Sequence, residues 1–253
     1  MKRFLILFIA AIFCFTAATP AVAGEGYGWY CMRKKDHERP TCEPDMAFIS
    51  EHSGYYIGSD PDEKVIYLTF DAGYENGNVA RIVDTLDRHG AKGAFFVLEN
   101  FIEKNPELIK KMSDGGHFIC NHTCRHRDMT KLGDDAFEAE LTALEDVAAA
   151  NGIELKKYYR PPEGRFSREN LIKAEEMGYK TIFWSVAYAD WDNSKQPSPD
   201  KATRLLIDNT HNGAVILLHP TSKTNADILD ALLSAWEKEG YRFGTLDELT
   251  EAK

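Results

Sequence analysis

The sequence predicts an α/β protein: a distorted (β/α) barrel of about seven strands with an irregular N-terminal extension. Strands alternate with helices along most of the chain, without repeats or low-complexity tracts. The 253 residues, 43% of them hydrophobic, are enough for one sizeable core. An open, doubly wound parallel sheet fits the same alternation. About seven strand–helix units favour the barrel.

The first residues have the pattern of a secretory signal peptide, predicted to occupy residues 1–23. Lys2 and Arg3 precede an apolar run at 4–15, and the small residues at 21–23 form a cleavage site. The run is short for a membrane span, which favours a cleaved leader over an uncleaved anchor. We therefore expect an exported protein with no stable membrane insertion after cleavage. Residues 24–63, rich in Gly, Pro, Tyr and charge, form the predicted extension, and 64–253 the main domain.

The main domain shows two alternating kinds of segment. Short apolar runs predict strands at 65–70, 94–98, 117–120, 158–160, 180–186, 214–218 and 241–243. Apolar residues at helical spacing predict helices at 78–89, 106–115, 134–150, 167–177, 199–209 and 225–239. Helix starts are marked by Asn105 before Pro106 and by Ser167.

Composition and missing motifs exclude several classes of function. The chain has 40 acidic and 30 basic residues and a net charge of −10, which argues against a nucleic-acid-binding protein. A Gly-rich dinucleotide motif after the first strand and a phosphate-binding loop are both absent from the sequence. Nucleotide chemistry therefore has no support.

Four cysteines follow the predicted leader. In an exported chain they permit disulfides, most simply Cys31–Cys42 and Cys120–Cys124. A domain of this size does not need disulfides to fold, so free thiols in an anaerobic setting are the alternative.

Polar residues suited to proton transfer and metal binding follow the ends of five predicted strands. They are Asp71, His122, His126, Arg160, Asp190 and His219. Because the carboxyl ends of parallel strands meet on one face, we expect these side chains to share a site. His122 and His126 are four residues apart, a spacing that can bring two imidazoles onto one metal ion. A structural zinc site that also uses Cys120 and Cys124 is the less favoured alternative, because structural ligands usually come as two separated pairs.

Five ordered stretches resemble the motifs of the polysaccharide deacetylases, the NodB-homology carbohydrate esterases. They are Thr69-Phe70-Asp71-Ala72-Gly73, His122-Thr123-Cys124-Arg125-His126, Arg160-Pro161-Pro162-Glu163-Gly164, Asp190-Trp191 and Leu217-Leu218-His219. The resemblance covers about residues 64–249. Further stretches that begin at Gly73, Arg160 and Phe183 are similar to the delta-lactam-biosynthetic branch, which deacetylates N-acetylmuramic acid in bacterial peptidoglycan.

The resemblance implies metal-assisted hydrolysis of an acetamide. It makes Asp71 the base, kept ionised by Arg160, and His219 the acid, supported by Asp190. It also implies an oxyanion contact from the backbone N–H of Glu163.

Substrate and metal contacts are implied in the same way. Trp191 and Leu217 would line the pocket for the acetyl methyl group and the sugar, and His122 and His126 would hold a divalent metal, expected to be zinc. The expected partners are peptidoglycan glycan strands in the bacterial cell envelope, with the protein acting as a monomer.

Two departures from the family pattern affect these expectations. Ala72 stands where the family usually has a second Asp that binds the metal, so the ion should be held weakly. Glu163 stands where many relatives have an aromatic residue. The alternatives are a deacetylase or O-esterase on chitin or xylan, and a glycan-binding protein that has lost catalysis. The presence of both a base and an opposed acid counts against the second alternative.

Overall fold

The computed structural model describes residues 26–30 and 33–251. The predicted signal peptide and Cys31 lie outside these residues. In the described part of the chain, none of the helices combines the length and the hydropathy needed to cross a membrane.

The strands are short, and most coincide with the predicted apolar runs. They are β1 (Tyr27–Gly28), β2 (Gly54–Tyr55), β3 (Val65–Ala72), β4 (Gly93–Val97), β5 (Phe118–Asn121), β6 (Lys156–Tyr159), β7 (Arg165–Phe166), β8 (Lys180–Ile182), β9 (Ala214–Leu218) and β10 (Arg242–Phe243).

The helices follow the strands in alternation over most of the chain. They are α1 (Asn78–Arg88), α2 (Glu99–Lys104), α3 (Pro106–Asp114), α4 (Asp134–Ala150), α5 (Arg168–Glu176), α6 (Pro199–Asn209), α7 (Lys223–Lys238) and α8 (Leu246–Glu251). The short helices α2 and α8 were not predicted, because six residues hold too few turns to show a periodic pattern.

One parallel sheet organises the molecule. Its order is β10-β3-β4-β5-β6-β8-β2, with β9 paired to β3, and every ladder in it is parallel. The sheet curls until the segment after β8 reaches β9, where Val186 and Ile216 form an isolated parallel bridge. The prediction of a distorted barrel is therefore confirmed, and an open doubly wound sheet is not formed.

The bridge also explains why the predicted strand at 180–186 is shorter than expected. After Ile182 the chain leaves its neighbour β6, and the N–H groups of Ser185 and Val186 donate to the carbonyl of Val215 at 2.9 and 3.1 Å. The apolar run at 180–186 therefore contacts two parts of the sheet.

The prediction of an irregular extension is correct for only part of residues 24–63. A 3-10 helix at Pro44–His52 leads into β2, which joins the main sheet beside β8. Strand β1 pairs with β7 in a separate two-stranded sheet. Trp29 is 7% exposed, and its Nε1–H donates to the carbonyl of Trp184 at 2.9 Å. The extension thus packs as part of the domain.

Strand β3 separates two hydrophobic clusters by the alternation of its side chains. Phe70 and Ala72 pack in the cluster shared with α1 and α7, whereas Tyr67 packs inside the curled sheet with residues of β4 and β9. Asp71 therefore faces the inside of the sheet, and Ala72, fully buried, faces the helical layer.

Candidate active site

Asp71 lies near the end of β3 and is held by a buried guanidinium. Its Oδ1 accepts a hydrogen bond from Nη1 of Arg160 at 2.8 Å. Arg160 is fully buried, donates through Nη2 to Thr69 at 2.9 Å, and stacks 4.2 Å from the ring centroid of Phe96. Burial alone would raise the pKa of Asp71. The charge and hydrogen bond of Arg160, with smaller contributions from the neighbouring His122 and His219, together outweigh burial, so the pKa lies below its ordinary value. Asp71 is therefore an ionised carboxylate at neutral pH.

The two candidate metal-binding histidines lie on the loop that follows β5. Nδ1 of His122 lies 2.9 Å from the carbonyl oxygen of Arg160 and donates to it in the neutral ring, which leaves the Nε2 lone pair free. Burial lowers the pKa of His122 to about 4, so the ring is neutral at pH 7. The exposed ring of His126 lies edge-on to it, 5.0 Å away between centroids.

This histidine loop has a strained backbone that Glu140 of α4 supports. Thr123 and His126 both have positive φ angles, 70° and 54°. The Oε2 atom of Glu140, a residue only 6% exposed, accepts from the backbone N–H of Arg125 at 2.9 Å. The N–H of Cys124 donates to the carbonyl of the same residue at 3.0 Å.

The two described cysteines of this region are free thiols. Cys120 is buried in β5, and Sγ of Cys124 donates to Glu99 at 3.1 Å. Of the two possibilities that the sequence left open for Cys120 and Cys124, the structure has the free thiols. The Cys31–Cys42 pairing involves a residue outside the described part of the chain.

His219, directly after β9, is held by a buried acid. Its Nδ1 lies 2.7 Å from Oδ1 of Asp190, which is 0% exposed, and its backbone N–H donates to Oδ2 at 2.8 Å. Asn225 at the start of α7 donates to the same Oδ2 atom at 2.6 Å. Burial opposes protonation of His219, but the hydrogen bond and charge of Asp190 outweigh it, so the pKa of His219 is raised.

The sheet places Asp71 and His219 next to each other. Strands β3 and β9 are paired in register with Phe70 opposite Leu218, so the next residues along both strands are Asp71 and His219. Neighbouring strands lie about 4.8 Å apart, and backbone hydrogen bonds therefore set the spacing between the two side chains.

Glu163 occupies a sharp turn on the opposite wall. It has φ 55° and ψ 13°, and Gly164 follows with φ 68°. A Cβ on Gly164 would lie 2.9 Å from both the Trp29 carbonyl and the Trp184 ring, so only glycine fits there. The Glu163 side chain is 64% exposed and pairs with Arg165 at 3.1 Å.

These groups surround a pocket of about 780 Å³. Seven of the nine predicted site residues line it: Asp71, His122, His126, Glu163, Trp191, Leu217 and His219. Arg160 and Asp190 lie behind the wall and contact Asp71 and His219. Leu217 is buried, whereas Trp191 is 62% exposed at the rim.

Other residues of the pocket were not predicted. Trp29, Tyr30 and Arg33 of the extension and Tyr188 also line it. The extension lacks a periodic pattern, and Asn225 and Glu140 look like ordinary helix residues in the sequence. Glu163 stands between two prolines and a glycine, and this local sequence is the one signal that could have predicted its strained turn.

His122 and His126 fit only part of a zinc-binding set, which normally has three or four protein ligands. Across residues 26–30 and 33–251, His, Cys, Asp and Glu side chains form no group of three or more that could hold a metal ion. Ala72 does not line the pocket. The described structure therefore offers two adjacent imidazoles and no third ligand.

Comparison of the sequence with known proteins identifies the class to which this fold and site belong. The family model for polysaccharide deacetylase matches residues 58–182. The chain is 39% identical to the peptidoglycan-N-acetylmuramic acid deacetylase PdaA of Bacillus subtilis, covering 92% of this chain and 89% of the relative. This chain belongs to the polysaccharide deacetylase family.

Two further comparisons agree. The solved structure of Bacillus subtilis PdaA, a family 4 carbohydrate esterase, superimposes with a TM-score of 0.85 at 38% identity, covering 90% of this chain and 97% of that one. A peptidoglycan-N-acetylglucosamine deacetylase of Bacillus cereus is 32% identical over 87% of this chain and 80% of its own length. The relatives thus include deacetylases of both peptidoglycan sugars.

Proposed function

We propose that the protein hydrolyses the acetamide of N-acetylmuramic acid residues in peptidoglycan, as an exported monomer in the bacterial cell envelope. The observation that carries the proposal is the in-register pair of Asp71 and His219, which face one pocket with opposite protonation preferences. The likeness to the muramic acid deacetylase of Bacillus subtilis supports the choice of sugar.

Asp71 acts as the base in this proposal. One of its oxygens is occupied by Arg160, and Oδ2 remains to take a proton from water. The activated water attacks the acetamide carbonyl carbon, and the carbonyl oxygen gains negative charge. A divalent ion held by His122 and His126 would polarise the carbonyl and the water.

His219 acts as the acid. Nδ1 is engaged by Asp190, so Nε2 presents its proton to the amide nitrogen. That nitrogen must be protonated before the carbon–nitrogen bond breaks, because an amide anion is a very poor leaving group. Acetate and the free amine are released, and on muramic acid this amine is the group that can close a lactam with the lactyl carboxyl.

The pocket walls provide the remaining contacts. The backbone N–H of Glu163, which lies in a left-handed turn, would stabilise the developing oxyanion. Leu217 forms an apolar surface for the acetyl methyl group, and the exposed face of Trp191 suits a sugar ring.

Mass analysis of purified peptidoglycan after incubation with the protein tests the proposal. We expect loss of acetyl groups from muramic acid residues and a stoichiometric release of acetate. Oligomers of N-acetylglucosamine and acetylated xylan serve as the rival substrates. Acetyl loss confined to either rival would contradict the assigned sugar, and binding of peptidoglycan without acetate release would support the glycan-binding alternative.

A further inference from the structure

A second groove opens from the active pocket at Arg33. It has a volume of about 780 Å³ and is lined by the loop that carries Arg33 and Lys35 and by residues along the length of α6. Arg33 lines both the pocket and the groove, so the two spaces adjoin at this side chain. A glycan strand bound at the reaction centre can therefore continue into the groove.

Four exposed cations converge there, and we call this space the basic groove: Arg33, Lys35, Lys201 and Arg204. Only two carboxylates, Asp200 and Asp208, share its lining. This local excess of positive charge occurs in a chain with a net charge of −10. A basic surface kept in an acidic protein indicates an anionic ligand.

The cations of the basic groove are also free of ion pairs. Within residues 26–30 and 33–251, none of the four lies within 4.0 Å of a carboxylate oxygen, and this includes Asp200 and Asp208. Exposed cations elsewhere do form ion pairs, for example Arg81 with Asp227 at 2.7 Å and Arg88 with Asp230 at 2.8 Å. The groove therefore keeps its donors available to a ligand.

We propose that the basic groove binds carboxylates of the substrate strand, outside the sugar whose acetamide is hydrolysed. This inference rests on the proposed function, because peptidoglycan strands carry carboxylates and chitin strands do not. They occur as free lactyl groups on residues without a peptide and as the acidic groups of attached stem peptides. Because the groove adjoins the pocket, both groups would belong to the molecule already held at the reaction centre.

The test compares the native protein with the double variant Lys201→Gln/Arg204→Gln. Both side chains lie on α6, away from the residues assigned to catalysis. The matched control is Lys104→Gln/Lys238→Gln, which removes the same charge from exposed sites outside the pocket and the groove. Affinity is measured by titration calorimetry for chitohexaose, for peptide-free peptidoglycan strands, and for strands with intact stems.

We expect the groove variant to bind carboxylate-bearing strands less tightly, by roughly two- to fivefold for each cation removed, at about 50 mM salt. The loss should shrink at about 500 mM salt, because the charges are then screened. Affinity for chitohexaose should not change, and the control variant should resemble the native protein. A loss only on peptide-free strands identifies the lactyl carboxylate, and a loss only on strands with stems identifies the stem peptide. A loss on both means that the groove accepts either carboxylate.

Equal losses on chitohexaose, or unchanged affinity for every strand, would overturn the inference. Calorimetry needs no turnover, so its outcome is separate from that of the acetate-release assay. Acetate release with unchanged affinities would leave the proposed function standing and remove only the basic groove.

Discussion

The Asp71 carboxylate depends on Arg160 for its charge. Burial favours the neutral acid, and the guanidinium 2.8 Å away makes the largest of the contributions that together reverse this preference. We expect Asp71→Asn to lower the rate of acetate release by about a hundredfold or more, because the amide cannot accept a proton. The amide can still accept from Arg160, but the buried guanidinium loses its counter-charge, so the Tm should also fall. The rate is therefore compared at a temperature where a thermal melt shows the variant to be folded.

The matched control for this variant is Asp192→Asn, at a half-buried residue that does not line the pocket. Its rate of acetate release should equal that of the native protein. Turnover of Asp71→Asn within a few-fold of the native rate would rule out Asp71 as the base.

His219 gives the enzyme its expected alkaline limit. Its raised pKa keeps the acid protonated above the ordinary titration range of histidine, and activity should fall as the pH passes through this raised value. In Asp190→Asn the opposing effect of burial should dominate, and the alkaline limb of the kcat profile should move to lower pH by about one unit or more. An unmoved limb would mean that another group sets it.

The pair of His219 and Asp190 also makes the stability of the fold depend on pH. The folded-state pKa of His219 is raised, so the stabilisation is fully present below the unfolded pKa of the histidine. It is lost as the pH rises through the raised folded value. Urea unfolding across this range, compared between the native protein and Asp190→Asn, measures the contribution.

Helix α4 determines the shape of the histidine loop through one buried carboxylate. In Glu140→Ala the N–H of Arg125 loses its acceptor. We expect the free energy of unfolding to fall by about 1–3 kcal/mol. Activity should fall further than stability alone explains, because the strained backbone at Thr123 and His126 is no longer supported. Urea unfolding and kcat are the two measurements.

Glu140→Gln serves as the conservative variant, because its amide oxygen can still accept from Arg125. It should recover most of the stability and the rate. Glu138→Ala on the same helix, where an exposed carboxylate pairs with Lys173, should change neither by much. If Glu138→Ala and Glu140→Ala behave alike, the loop does not depend on this contact.

Elements with a clear pattern could be predicted, and those that depend on a distant partner could not. The apolar run at β3 and the spacing in α1 specify their own structure. The two-residue strand β2 forms only because β8 lies beside it. The side on which Ala72 lies follows from the alternation in β3, which extends two residues further than predicted.

The same distinction applies to the site. Residues at strand ends could be predicted because a parallel sheet must bring them together. Asn225 could not, since its contact with Asp190 depends on how α7 packs over β9. Arg33 reaches the pocket only through the fold of the extension.

At the scale of the whole molecule, the extension and the barrel share one core through Trp29. Its ring lies 4.7 Å from Phe183 and 5.0 Å from Tyr56 between centroids. We expect Trp29→Ala to lower the free energy of unfolding by about 3–5 kcal/mol, with one cooperative transition for extension and barrel together. Trp29→Phe should lose less, because most of the apolar contact remains.

Urea unfolding followed by fluorescence and by circular dichroism measures this effect. Two separate transitions in the native protein would mean that the extension and the barrel unfold independently. A neutral Trp29→Ala variant would mean that the ring is not part of the shared core.

The register between β3 and β9 has a consequence for how relatives of this protein can diversify. The separation of the proposed base and acid is set by backbone hydrogen bonds inside the sheet, whereas Trp29, Tyr30 and Arg33 of the pocket wall lie on the extension. Exposed side chains of the loops and the extension can therefore differ between homologues, as long as Trp29 is kept, without moving Asp71 or His219. A chimaera that receives the extension of another homologue should acquire that homologue's choice of glycan. It should keep the catalytic spacing of the present protein.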